Sequence, residues 1–152
     1  MAVGKIKSPL KTVASAYERR AGFYWSIRVA EVADGGSGDP DPNAVREAEA
    51  SRLRRACSDG SVQVALTRSG SVMGSRELAT WMDRRRTGAT QEVAFLIGGA
   101  WGLAPDLVAE ADATLSLSRM TLPHDLARVV LLEQVYRAGT ILRGEPYHKG
   151  QG

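Results

Sequence analysis

The sequence predicts an α/β domain with a mainly parallel sheet flanked by helices. Three observations carry that reading. Short β-like runs alternate with helical patterns from end to end, the order that lays parallel strands beneath crossover helices. Val93-Ala94-Phe95-Leu96-Ile97 is continuously apolar, as a strand covered on both faces is. The 152 residues, 43% of them apolar, suffice for a single domain over 1–152 with a sizeable core.

Taken in order, Met1-Ala2-Val3 is all that precedes Gly4-Lys5, where such a domain begins with a full apolar strand. Either the first strand is very short or the start of the sequence lies inside it. Residues 9–20 carry a helical pattern, and Phe23-Tyr24-Trp25-Ser26-Ile27-Arg28-Val29 reads as a strand. The Gly-, Pro- and Asp-rich run from Asp34 to Pro42 is a mobile surface loop. A helix over 43–57 leads to the strand Val62-Gln63-Val64-Ala65-Leu66-Thr67, stopped by Arg68-Ser69-Gly70. Helix 75–88, strand 93–97, helix 105–111, a short strand 114–117 and a long helix 123–138 complete the chain. No repeat and no second domain is visible.

Composition narrows the function classes. No apolar run approaches the roughly 20 residues that span a bilayer, and the N-terminus lacks a leader's apolar stretch, so no membrane role is expected. A single cysteine, Cys57, forms no internal disulfide and is too little for a cysteine metal site. It reads as an inert helix residue of a cytoplasmic protein without a metal. The net charge of +3 is mild support for a nucleic-acid partner. Lys5, Lys7, Lys11, Arg19 and Arg20 crowd the start, while much of the acid lies between Glu31 and Asp59, which suggests a basic and an acidic face. Arg84-Arg85-Arg86 reads first as a solvated helix end and second as an RNA contact.

Three stretches carry chemistry. Ile97-Gly98-Gly99-Ala100-Trp101-Gly102 follows the most buried strand, where glycines let the backbone turn sharply or approach a ligand closely. A ligand loop and a plain turn are both open, but a dinucleotide fingerprint fits poorly. Ser116-Leu117-Ser118-Arg119-Met120-Thr121 precedes the last helix. Ser118 or Thr121 is expected to cap that helix, and the remaining hydroxyl, arginine and methionine suit a loop wrapped around the adenosine end of a cofactor. Around helix 123–138, His124, Arg128, Leu131 and Val135 share one side, with Leu126, Val130 and Glu133 opposite. Apolar residues on most sides suggest a subunit interface as well as a core, and charges there are either paired or functional. The tail Arg143-Gly144-Glu145-Pro146-Tyr147-His148-Lys149 has too few apolar residues to anchor itself and is expected to be mobile before RNA arrives. Its Tyr and His suit base stacking, its Arg and Lys phosphate contact.

Together, Ile97-Gly98-Gly99-x-x-Gly102, the run from Leu115 to His124, and the run from Arg128 to Ala138 with the tail ending Pro146-Tyr147-His148-Lys149 resemble the RlmH family. These are the large-subunit (23S) ribosomal RNA pseudouridine N3-methyltransferases of the SPOUT class. The resemblance covers nearly the whole chain, is strongest from Val93 onward, and includes Val3-Gly4-Lys5. It implies an α/β fold with a C-terminal trefoil knot, a rare exception to un-knotted connection. It implies a pocket for S-adenosyl-L-methionine built from Leu66, Gly98, Gly99 and Gly102, with Leu117, Ser118, Arg119, Met120, Thr121 and Leu122. A homodimer through the last helix and a pseudouridine of large-subunit RNA in the assembled ribosome complete the expectation. His148 or His124 would handle the N3 proton, Arg128 and Arg143 would orient the RNA, and Tyr147 would contact the base. Two rivals are a SPOUT methyltransferase with another RNA target and a non-enzymatic ribosome-binding factor. The tail argues against the first, the Gly98 loop and Ser118 turn against the second.

Overall fold

A computed structural model describes residues 1–35, 41–88 and 92–148. In chain order the elements are β1 Ala2–Val3, α1 Leu10–Ala21, β2 Glu31–Val32, α2 Pro42–Ala56, β3 Val62–Val72, α3 Ser75–Thr87, β4 Val93–Leu96, α4 Pro105–Glu110, β5 Ala113–Ser116 and α5 His124–Leu142, followed by a 3-10 turn, Pro146–His148. All five expected helices are present. Residues 36–40 of the expected surface loop lie outside the described residues.

All strand pairs are parallel, in two groups: β1 beside β2, and β3 between β4 and β5. Side chains alternating along β4 feed two cores. Ala94 and Leu96 pack with Val3, Ala50 and Leu53 of α2 and Leu107 of α4. The other face of the sheet, including Val64, Ile97 and Leu115, packs under Leu78, Ala79 and Met82 of α3 and Leu131, Val135 and Ala138 of α5. Helices therefore cover both faces, as the continuous apolar run of β4 implied. A third cluster joins α1 to α5 through Ile6, Ala14, Val129 and Leu132.

Three expectations need correction. First, 23–29 is not a strand. Tyr24 and Trp25 turn back to donate backbone hydrogen bonds to Ala21, and the Trp25 indole donates to the carbonyl of Val135 at 2.9 Å. A strand needs a neighbour, and β1 offers one only from Ala2, whose N–H donates to the Ala30 carbonyl. Second, β3 does not stop at Arg68-Ser69-Gly70. Leu115 pairs with both Leu66 and Ser71, so the intervening residues bulge out and the strand resumes to Val72. Gly70 makes this possible, because a Cβ there would lie 2.8 Å from the Leu115 carbonyl carbon. Third, α5 runs on to Leu142. It passes through Gly139, where a Cβ would collide with the Tyr24 ring at 2.3 Å, so tertiary packing outweighs glycine's low helix propensity.

Among the described residues the two strand groups meet only along β1. Val3 N–H donates to the Ile97 carbonyl, Ile97 N–H to the Met1 carbonyl, and the Met1 amino group to the Phe95 carbonyl at 2.9 Å. Ahead of Met1 the groups part around a cavity of about 460 Å³, walled by Trp25, Ile27, Met82, Val93, Phe95 and Leu131. No helix among the described residues is long and apolar enough to cross a membrane.

Candidate functional site

Register fixes where the site lies. Ala65 of β3 stands beside Leu96 of β4 and Thr114 of β5, and Leu66 beside Leu115. Leu66, where the β3 ladder breaks into its bulge, is therefore level with the carboxyl ends of β4 and β5, from which Gly98 and Leu117 follow. This is the kind of edge where open α/β sheets hold ligands. The structure brings the expected cofactor segments to that single edge.

The glycine loop is a tight reversal. Gly102 N–H donates to the Gly99 carbonyl at 3.1 Å, and Gly102 has φ +77°. A Cβ on Gly98 would lie 2.5 Å from the Gly102 carbonyl carbon, so the turn closes only on bare backbone. Gly98 is buried, while Trp101 and Gly102 are exposed. The loop after β5 is shaped by its own hydroxyls. Ser116 Oγ lies 3.2 Å from the Arg68 carbonyl and 3.0 Å from that of Ser118, tying the turn to the β3 bulge. Ser118 Oγ accepts from Met120 N–H at 3.0 Å. The expected helix cap is absent: Pro123 is the N-cap of α5 and no side chain caps it. Leu117, Ser118 and Leu122 are half-buried, while Arg119, Met120 and Thr121 stand exposed, Met120 to 76%.

One further residue belongs here that the sequence pattern did not single out. Glu49, on the buried face of α2 with Val45, Ala50 and Leu53, is 3% exposed. Its carboxylate accepts from Gly35 N–H at 3.0 Å and from Gly99 N–H at 3.4 Å. A helical wheel of 42–56, which sets Glu49 among apolar side chains, was the available signal.

The polar groups expected to act on the acceptor fall into two sets. At the start of α5, His124 Nε2 lies 3.2 Å from Asp125 Oδ1. Arg128 pairs with Glu31 of β2 at 2.5 Å and holds that carboxyl below the usual range. The buried Arg128 Nε has no hydrogen-bond partner among the described residues. At the other end, Arg143 stacks 4.7 Å from the Tyr24 ring centroid and donates to the Phe23 carbonyl. Tyr147 stacks on Tyr136 with centroids 4.6 Å apart, donates to Glu133 at 3.1 Å and lies under Arg137. Burial, then its hydrogen bond with Tyr17, pushes the Tyr147 phenol up. Glu145 accepts from the Tyr24 hydroxyl, which is pushed up to about 12 chiefly by that bond. The tail expected to be mobile is thus anchored through Tyr147 by aromatic and charged groups rather than aliphatic ones. Lys149 and the side chain of His148 lie outside the described residues.

The two sets sit at opposite ends of α5. Nineteen residues separate His124 from Arg143, about 28 Å along a helix axis. One chain does not bring them together. Elsewhere, Arg85 stacks on Trp81 and Arg86 pairs with Asp83, in keeping with a solvated helix end. Burial raises the thiol of Cys57, as suits an unreactive cysteine.

The comparisons with known proteins agree with this geometry. A family model described as a predicted SPOUT methyltransferase matches residues 1–148. The chain is 47% identical to the ribosomal RNA large subunit methyltransferase H of Gemmatimonas aurantiaca, over 88% of this chain and 86% of that one. It is 40% identical to the protein of that name from Syntrophotalea carbinolica, over 91% and 89% of the two chains. With the Clostridium kluyveri protein, identity is 36% over 98% and 97%.

Proposed function

The chain belongs to the SPOUT methyltransferase family, and on that premise we propose that it transfers a methyl group from S-adenosyl-L-methionine to N3 of a pseudouridine in large-subunit (23S) ribosomal RNA within the assembled ribosome. What carries the reading is the meeting of Leu66, at the break in the β3 ladder, with the Gly98–Gly102 reversal and the Leu117–Leu122 loop at the carboxyl ends of β4 and β5. That edge fits a nucleoside-bearing donor. Bare backbone at Gly98 admits close approach, and the Ser118 turn offers main-chain polar groups beside half-buried Leu117 and Leu122.

When bound, S-adenosyl-L-methionine supplies a methyl group activated by its sulfonium. Gly98, Gly99 and Gly102, with Leu66 and residues 117–122, would hold the donor, and positioning it against the acceptor is most of what such a transfer requires. As the N3–methyl bond forms, the bond from the methyl carbon to the sulfonium sulfur would break, leaving the donor as the neutral thioether. N3 also gives up its proton, so a base must accept that proton or a cation must stabilise the anion that develops. His148 or His124 takes that proton, Arg128 and Arg143 hold the RNA, and Tyr147 contacts the base. Because these groups lie at both ends of α5, a homodimer packed through that helix is the arrangement in which one chain's tail completes its partner's site. The reading includes a single domain over 1–152, a C-terminal trefoil knot around the pocket and work in the cytoplasm, without a metal.

The test uses ribosomes from a strain deleted for this protein, incubated with it and labelled S-adenosyl-L-methionine, with mass spectrometry of the 23S RNA. The expected product is one added methyl on a pseudouridine. RNA that stays unmodified, or is methylated elsewhere, overturns the reading. Under single-turnover conditions His148→Ala is expected to slow transfer about 100-fold or more. An unchanged rate gives the proton to His124.

A further inference from the structure

Glu49 is the one charged residue buried among those described, and its surroundings are unusual for a helix side chain. A buried carboxylate is costly unless hydrogen bonds satisfy it. Both its donors are glycine N–H groups from different loops, Gly35 after β2 and Gly99 after β4. At Gly35 an added Cβ would meet the Val45 backbone, and at Gly99 it would press on the carboxylate itself. A Cβ on Gly99 would lie 2.7 Å from Glu49 Oε1, and one on Gly35 would lie 2.5 Å from Val45 Cγ1. Backbone has been brought against a carboxylate at two points, and one of them is the middle of the Gly98–Gly102 reversal.

We propose that Glu49 is a positioning residue. From behind the site, it fixes the Gly99 peptide, and so the Gly98–Gly102 loop, in the shape that receives the methyl donor. The inference rests on the cofactor reading above. Without the carboxylate, Gly99 N–H loses a charged acceptor and the loop must be ordered anew each time donor binds. That cost appears in affinity rather than in the chemical step.

The experiment measures S-adenosyl-L-methionine affinity by calorimetry, and kcat and KM for the donor, in wild type, Glu49→Ala, Glu49→Gln and a control, Leu53→Ala. Leu53 is buried on the same helix one turn on and makes no hydrogen bond to the glycine loop, so its truncation lowers stability while leaving the Glu49–Gly99 contact in place. Glu49→Ala is expected to weaken donor binding and raise KM about tenfold, as loss of a hydrogen bond to a charged group does, with kcat within about threefold. Glu49→Gln retains an amide oxygen and should lie within about threefold of wild type. Leu53→Ala should lower Tm and leave affinity alone. Wild-type affinity in Glu49→Ala, or equal weakening in Leu53→Ala, overturns the proposal. If Glu49→Ala does not fold, Glu49→Asp replaces it: weakened binding supports the proposal and wild-type affinity overturns it. A wild-type chain that gives no donor heat sinks the cofactor reading and this inference together. Donor binding by wild type with no change in the Glu49 variants sinks this inference alone.

Discussion

A Cβ added to Gly98 would meet backbone, at 2.5 Å from the carbonyl carbon of Gly102 and 2.7 Å from the nitrogen of Leu103. Backbone in a closed reversal has no rotamer to retreat into, so Gly98→Ala must open the turn. The expected cost is about 1–3 kcal/mol of stability, seen as a lower Tm, together with loss of donor binding by calorimetry. Gly60→Ala is the useful contrast. Its φ of +75° strains any side chain, but nothing lies within 4 Å, so it should cost stability alone. A Gly98→Ala chain that binds donor like wild type would remove this loop from the site. At this scale the sequence was informative wherever a residue's type limits its conformation. Gly98 and Gly102 stand out because glycine after a buried strand serves either a sharp turn or a close approach to a ligand. The cap expected of Ser118 or Thr121 is not made, since a hydroxyl serves a turn or a helix end equally well and that of Ser118 serves the turn. Charge on a helix usually means solvent; the wheel of α2 places Glu49 on the buried face with Val45 and Leu53, and the positions of Gly35 and Gly99 show what satisfies it there.

The tail is tied to two places, to α5 by Tyr147 on Tyr136 and to the segment after α1 by Glu145 and Arg143 on Tyr24. The Tyr24 phenol, normally near 10.0, is pushed up to about 12 because its proton is donated to the Glu145 carboxylate. Raising an acid's pKa on folding means the neutral form is favoured in the folded state. This contribution is therefore whole below pH 10 and is lost as pH rises through about 12. Hydrogen exchange of residues 143–147 should quicken over that window beyond its ordinary base dependence. Tyr24→Phe should exchange faster at pH 9 already and show no added step. An identical pH course in both proteins would mean that this bond does not hold the tail. The long helix was legible from its pattern, though its end was not. Gly139 and the tail follow from aromatic contacts across α1 and α5, between residues more than a hundred positions apart, which no local pattern records.

Across the whole molecule, the sheet is held in two parts because β1 is too short to bridge them. The alternation in 23–29 was a sound strand signal, but a strand is a pairing, and among the described residues β1 pairs only from Ala2 onward, beside Glu31. The Met1 amino group donates to the Phe95 carbonyl, and burial lowers its pKa from the ordinary 8.0. A base whose pKa falls on folding stabilises above its unfolded value, and that stability is lost as pH drops from 8 toward the folded value. Five apolar residues added before Met1 would continue β1 between residues 25–29 and β4, filling the cavity of about 460 Å³ and moving the amino group beyond it. Each fully buried large apolar side chain contributes about 1.5–3 kcal/mol, offset by about 1.5 kcal/mol per residue ordered. With the Met1 charge no longer buried, a net gain of about 2 kcal/mol is expected, which in a chain of this size raises Tm by about 5 °C. The extended chain should also lose the decline in Tm below pH 8, and hydrogen exchange at 26–29 and 93–95 should slow as both edges gain partners. A Gly-Ser extension of equal length moves the amino group without filling the space, so it should flatten the pH dependence yet leave the exchange unchanged. If the apolar and Gly-Ser chains melt alike, the gap is not a strand's width, and the division of the sheet must have another cause.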